Sequence, residues 1–193
     1  MVKRLIYLIL VLLILPNILL ASTLSKTNTS INKKASANNL TKILNNYNFK
    51  VVGQATLSVL FWDIYKSTLL TTSGIYPINS NDEKILYKIN YLKNISSNEL
   101  IKHTKEQWQH LDVPINTYQP FITSLKSIWP DVTKGDTLSL LIHNQQSSFY
   151  FNEHYIGSIN SPEFGQLFID IWLANNTSQP TLRAQLLGGK SND

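Results

Sequence analysis

An α+β fold, with an antiparallel β-sheet covered on one face by a layer of helices, is what this sequence predicts, and three observations carry it. The stretch 51–70 reads V-V-G-Q-A-T-L-S-V-L-F-W-D-I-Y-K-S-T-L-L. Val51, Gly53, Ala55, Leu57, Val59 and Phe61 recur at period two against Gln54, Thr56 and Ser58, which is the pattern of a strand with one buried face. Strand-like and helix-like segments then follow in separate runs, β-β-β-α-α-β-β-β-α-α, rather than in strict alternation. Finally, about 150 residues remain beyond a polar N-terminal region, which is enough for one domain with one sizeable core.

Twenty residues are too many for one straight strand, so 51–70 is read as two strands, or one strongly bent strand, with the break near Trp62-Asp63 and a bulge re-aiming both side chains. Ser73-Gly74 and Pro77 mark a turn. Lys84 to Leu92 sets Ile85, Tyr87, Ile89 and Tyr91 against Lys84, Lys88 and Asn90, a half-exposed strand. Ser96 with Glu99 forms a capping box, and Leu100, Thr104, Trp108 and Leu111 recur at helical spacing behind it. Tyr118, Phe121, Ile122, Leu125, Ile128 and Trp129 form the stripe of a second helix. Pro130 stops it by disfavouring helical geometry at Trp129. Thr137 to His143 is a strand, followed by a loop at 144–146. A hairpin then joins Ser147–Phe151 to Tyr155–Ile159 around Asn152-Glu153-His154. Ser161-Pro162-Glu163 is a helix start ahead of the stripe Phe164, Leu167, Phe168 and Ile171. Pro180 opens a last short helix that Gly188 ends.

The N-terminal region carries the basic charge. Lys3 and Arg4 precede an apolar run of eleven residues from Leu5 to Leu15, with Pro16-Asn17 after it and Ala21 at a cleavage-like position. That is the layout of a secretory signal peptide over 1–21; the run is short beside the roughly 20 apolar residues of a membrane span. The alternative is an uncleaved N-terminal anchor. Residues 22–46 are rich in Ser, Thr, Asn and Lys and read as a flexible polar tether, although Leu40 to Leu44 has the makings of a turn of helix. The domain then runs over 47–188, with 189–193 a C-terminal tail. A chain beginning near Asn46 is therefore expected to melt within a few degrees of the longer one. The whole chain is +5, but from Ile43 onward 11 basic and 12 acidic residues leave −1. No basic patch for nucleic acid sits on the domain. The chain has no cysteine, so an exported domain of this composition holds without disulfides.

Three groups of residues are candidates for chemistry. His103, Glu106 and His110 fall within about 60° of one another on the first helix, an arc that points away from its apolar stripe and reads as a solvated face rather than a metal site. Asp63 lies between Trp62 and Ile64-Tyr65 in the least polar surroundings of any acid, where burial would raise its pKa and make it a general base; the competing reading is an exposed carboxylate at a strand edge. The aromatics, among them Trp62, Tyr65, Trp108 and Trp172, are mostly core, with some free to line a pocket between sheet and helices. Trp172 lies about 80° round the helix from Phe164, at the edge of the buried stripe, where a cleft would open.

Taken together, V-G-Q-A-T-L-S-V-L-F-W-D-I-Y at 52–65, I-W-P-D-V-T-K-G-D at 128–136, F-G-Q-L-F-I-D-I-W-L at 164–173 and T-L-R-A-Q-L-L-G at 181–188 resemble the bacterial exported chalcone isomerase-like proteins. The resemblance implies the chalcone isomerase fold, an open-faced β-sandwich with helices over one side of an antiparallel sheet. In the plant enzymes an arginine on an early strand stabilises developing negative charge. Here 38–60 holds no arginine, only Lys42 and Lys50. The enzyme's strand threonine matches Leu60, its helical tyrosine and asparagine fall near Ser96 and His103, and its later threonine falls near Ile171. Other members of the wider superfamily bind fatty acids through an arginine and a tyrosine. The resemblance therefore implies an exported, periplasmic, non-catalytic domain that binds a lipid, fatty acid or other apolar small molecule. It implies no cofactor, metal or nucleic acid, and no membrane insertion once the leader is removed. The pocket candidates are Trp62, Tyr65, Ser96, His103, Trp108, Ile171 and Trp172. The alternatives are an isomerase (an intramolecular lyase) acting on an enone, with Asp63 as base, and a structural or interaction domain without ligand.

Overall fold

The founding ribbon folds back on itself at Leu60-Phe61. In the computed structural model, which describes residues 39–189, β1 (Lys50–Val59) pairs antiparallel with β2 (Trp62–Thr71). The break falls a residue or two before the position expected from the sequence, with Leu60 in the left-handed region (φ 56°). A register shift between Leu57 and Ser58 accompanies it, and a second lies between Val51 and Gly53. These shifts correct two members of the predicted buried row. Val51 is rotated out to 53% exposure, and Phe61, in the turn, is 97% exposed.

The ribbon continues into a six-stranded antiparallel sheet whose spatial order is the order of the chain. It adds β3 (Ile85–Tyr91), β4 (Thr137–His143), β5 (Gln146–Phe151) and β6 (His154–Asn160). The last two hairpins close through two-residue turns, Asn144-Gln145 and Asn152-Glu153, with all four residues at positive φ. That geometry matches the twist of the flanking strands and is tighter than the loops expected there.

Four helices cover one face: α2 (Ser97–His110), α3 (Ile115–Ile128), α4 (Phe164–Leu173) and α5 (Pro180–Leu186). The Ser96–Glu99 capping box is present at the start of α2, and Trp129 turns extended ahead of Pro130 as predicted. The helix predicted from Ser161 begins three residues later. Ser161 Oγ accepts from the Glu163 amide (3.3 Å), and no side chain caps the helix itself. Gly53 is where α5 comes down on β1. A Cβ there would lie 2.2 Å from the Gln185 carbonyl oxygen and 2.5 Å from that of Leu186, so this approach requires glycine.

The other face is not bare. α1 (Leu40–Asn46) lies on it, capped by Asn39 Oδ1 accepting from the Thr41 amide (2.8 Å). The fully buried Leu40 packs with Leu86, Leu141 and Tyr150. The tether reading is thus corrected over Leu40–Asn46; the leader, the rest of the tether and residues 190–193 lie outside the described residues. The half-exposed reading of β3 is corrected with it, since Leu86 is buried from the second side.

Because Leu40 is fully enclosed, Leu40→Ala is expected to cost about 2–5 kcal/mol in urea denaturation. A chain beginning at Asn46 should melt well below one beginning at Asn39, contrary to the tether expectation. Equal melting would show that α1 contributes no packing.

Candidate ligand site between sheet and helices

The first face of β3 presents Ile85, Tyr87, Ile89 and Tyr91 by simple alternation, all of them buried. Tyr65 of β2 stands opposite Tyr91, their ring centroids 6.2 Å apart at 71°. From above, α4 lowers Trp172 onto Tyr87, with centroids 4.6 Å apart. The indole Nε1 of Trp172 donates to the Tyr65 hydroxyl at 2.8 Å. Phe168 lies one helical turn back, 5.4 Å from Trp172, and continues the ring wall to Trp129, Phe149 and Phe164.

This junction is apolar except for its hydroxyls. Tyr65 is partly exposed along its ring, but burial of the hydroxyl end pushes its pKa up to about 12, against a smaller lowering by the Trp172 hydrogen bond. Burial likewise raises Tyr87 well above, and Tyr91 above, the ordinary phenol value. All three are neutral donors at physiological pH, and among the described residues none is hydrogen-bonded to a charged side chain. The Tyr87 hydroxyl is buried close enough to Ser67 for that side chain to offset part of its pKa rise, but among the described residues no group meets it with hydrogen-bond geometry. Ser67 lies beside it but donates to the Ala55 carbonyl instead (3.3 Å). A buried hydroxyl left unsatisfied costs about 1–3 kcal/mol, so this oxygen is a vacant donor and acceptor in an otherwise apolar interior.

The residues picked out in the sequence fare unequally. Tyr65 and Trp172 come together. Trp172 is 8% exposed and carries the Tyr87 and Phe168 contacts, so it lies inside the junction and not at an open edge. Trp108 is wholly buried, stacked on Tyr118 at 5.2 Å, and its Nε1 donates to the Leu167 carbonyl (2.9 Å); it fastens α2 to α4. Ile171 is core, and its carbonyl accepts from Thr177 Oγ1 at 2.7 Å. Ser96 is engaged in the helix cap. Trp62 is 61% exposed beside the hairpin turn, with the Lys93 ammonium 4.1 Å above its ring.

Asp63 is exposed and accepts from Ser58 Oγ (2.6 Å), so it has no part in the interior; the register shift at Leu57/Ser58 brings these two side chains opposite each other. His103 Nδ1 meets Glu106 Oε2 at 2.9 Å in solvent, whereas the His110 ring bonds the Asn176 carbonyl (3.1 Å). Among the described residues no group of three His, Cys, Asp or Glu side chains is placed to hold a metal, and no helix is long and apolar enough to cross a membrane. The sequence places Tyr87 and Tyr91 among the aromatics free to be core or pocket but does not single them out as pocket candidates. Their signal was available: both sit on the same face of β3, with Tyr65 on the neighbouring strand β2 opposite Tyr91.

An antiparallel sheet roofed by helices, with a tyrosine-lined junction between the layers, defines an α+β protein of the chalcone isomerase type. The chain belongs to the chalcone isomerase-like family, whose model matches residues 29–188. It is 24% identical over 137 residues to an uncharacterised protein of Haemophilus influenzae, covering 71% of this chain and 67% of that one. The fold is similar to the crystal structure of a fatty-acid binding protein of Arabidopsis thaliana. The TM-score is 0.56 at 11% identity, over 72% of this chain and 86% of that one.

Trp172→Ala removes a buried indole together with its hydrogen bond to Tyr65. The expected cost is about 3–5 kcal/mol, read from the denaturant midpoint. A loss nearer 1 kcal/mol would mean that the indole borders open space.

Proposed function

We propose that this protein is a non-catalytic binding domain for an apolar small molecule of the fatty-acid or lipid class, held between sheet and helices. The observation that carries the reading is the Tyr87 hydroxyl, unpartnered among aromatic rings and flanked by Tyr65 and Tyr91. The apolar tail of a ligand would lie along the rings of Phe168 and Trp172, and its polar end would meet the hydroxyls. The Arabidopsis fatty-acid binding protein of similar fold supports the class of ligand. Since the cluster offers neutral donors and no cation, the polar end it suits is uncharged: a protonated carboxyl, a carbonyl or a hydroxyl. An ionised head would be left without a counter-charge at a cost of several kcal/mol. The close ring contacts favour a second reading, a structural or interaction domain whose interior is simply full.

Native mass spectrometry of the purified protein against a panel of fatty acids, their methyl esters and fatty alcohols separates the two. The esters and alcohols should bind at least as well as the free acid at neutral pH. Tyr87→Phe should leave stability unchanged or slightly raised, since it removes an unsatisfied group, while weakening binding. No ligand from any of the three classes would leave the structural reading standing, and a marked preference for the ionised acid would rule out the neutral-head site.

Export through the N-terminal leader to the periplasm belongs to the same proposal, resting on the residue pattern of 1–21. Sequencing the N-terminus of cell-extracted protein should start near Ser22. An intact Met1 in the membrane fraction would mean an anchor.

A further inference from the structure

Among the described residues, the second face of the sheet carries a cation without a carboxylate partner. Lys84 immediately precedes β3 and, by alternation, points to the same side as Leu86. There it is 7% exposed. Its ammonium lies 3.1 Å from His143 Nε2 and 4.0 Å from the centroid of the Tyr47 ring. Among the described residues no carboxylate comes within 4.0 Å of it. A cation removed from water is ordinarily paired, and here the pairing is with a neutral imidazole and an aromatic face. With Lys84 donating to Nε2, the His143 ring carries its own proton on Nδ1.

These groups line a cleft of about 300 Å³ beside α1, together with Tyr150, Tyr155 and Ser148, a size at the lower end for small-molecule sites. The remaining walls are the apolar Ile43 and Leu141 and the polar Gln146, whose amide is engaged with Ser158 and Asn160. The Tyr150 and Tyr155 rings meet edge to face at 5.9 Å. The nearby acids are turned elsewhere. Glu83 accepts from Ser73 and from the Asn79 amide (3.2 Å), and Glu153 accepts from Thr41 Oγ1 (2.6 Å). Asp82 acts on His143 only through space. From α1 the charged contribution is Lys42, another cation.

We propose that this cleft binds a small carboxylate with a flat apolar body, with the Lys84 ammonium as counter-ion and the tyrosine rings as walls. The site is independent of the one between sheet and helices, because it lies across the sheet from it. It also takes the opposite kind of head group, an anion in place of a neutral one. His143 is the built-in reporter. Burial, and then the adjacent Lys84 charge, hold its pKa below the ordinary imidazole value, with Asp82 opposing weakly. A carboxylate beside Lys84 adds the missing negative charge and moves that pKa up.

Benzoate and octanoate are the probes, inorganic phosphate is the control, and NMR titration of the His143 ring in the full chain is the readout. Benzoate should produce a saturable upward shift of the His143 pKa. Phosphate, lacking the apolar body, should bind at least about tenfold more weakly. Lys84→Met, which exchanges the buried charge for an apolar side chain of similar length, should abolish the shift. Tyr155→Ala, at a wall residue 40% exposed, is expected to fold even if Lys84→Met does not, and should lower benzoate affinity severalfold. Tyr87→Phe should leave benzoate binding untouched, which keeps this site distinct from the proposed lipid site. A His143 titration unmoved by either carboxylate, or moved equally by phosphate, would overturn the proposal. So would a shift that survives both Lys84→Met and Tyr155→Ala.

Discussion

The structure depends on one strand being buried from both sides. Leu86 and Tyr87 are neighbours in β3, and a pleated strand sends neighbours to opposite faces; their exposures are 0% and 1%. Both faces of the sheet's centre must therefore be covered. Tyr87 is covered by α4, through Trp172. Leu86 is covered by Leu40 of α1 and by Tyr150. The two layers are unequal: four helices roof one side, and seven residues of helix lie on the other. Among the described residues the short helix leaves part of its face uncovered, and the cleft at Lys84 and His143 is the part it leaves. Those two residues extend the Leu86–Leu141 cross-strand pair by one step on the same face.

On the roofed side the packing is almost entirely ring against ring. Most of the polar atoms brought into that interior find partners nearby: Trp108 Nε1 at Leu167, Thr104 Oγ1 at Leu100, Thr177 Oγ1 at Ile171. The Tyr87 hydroxyl does not. Trp129 Nε1 and Ser147 Oγ are unpartnered as well, but the Tyr87 hydroxyl stands where the β2–β3 tyrosines and α4 converge, at the junction between the layers.

The positions that the resemblance matches to the plant enzymes' polar groups do other work here. Leu60 is a turn residue, 75% exposed. Ser96 caps α2, His103 pairs with Glu106 in solvent, and Ile171 is core. They are dispersed over the molecule and do not converge on one site. The junction between sheet and helices is instead furnished with phenols and an indole, groups suited to holding a ligand in place.

Local pattern alone was enough for the order of elements from β1 onward, the capping box at Ser96, the stop at Pro130 and the apolar stripes of the helices, because each is set by neighbours within a turn or a strand. The tertiary structure decided what those rules cannot reach. Leu86 interrupts the polar side of β3, and with Leu70, Leu141 and Tyr150 on the neighbouring strands it was the sequence's trace of a second covered face. Its partner Leu40 lies some forty-five residues earlier in a polar segment, and nothing local joins the two. Val51 is on the exposed side because a register shift in the pairing with β2 reverses it, and pairing register is a property of two strands. Asp63 was legible as an acid among aromatics, but its exposure follows from where the hairpin turns. Tyr65, Tyr87 and Trp172 were each legible as aromatic, and so was the fact that aromatics are mostly buried. That one hydroxyl among them lacks a partner, and that Lys84 lies against a histidine and a tyrosine ring with no carboxylate beside it, depends on contacts between segments distant in the chain, which only the folded molecule brings together.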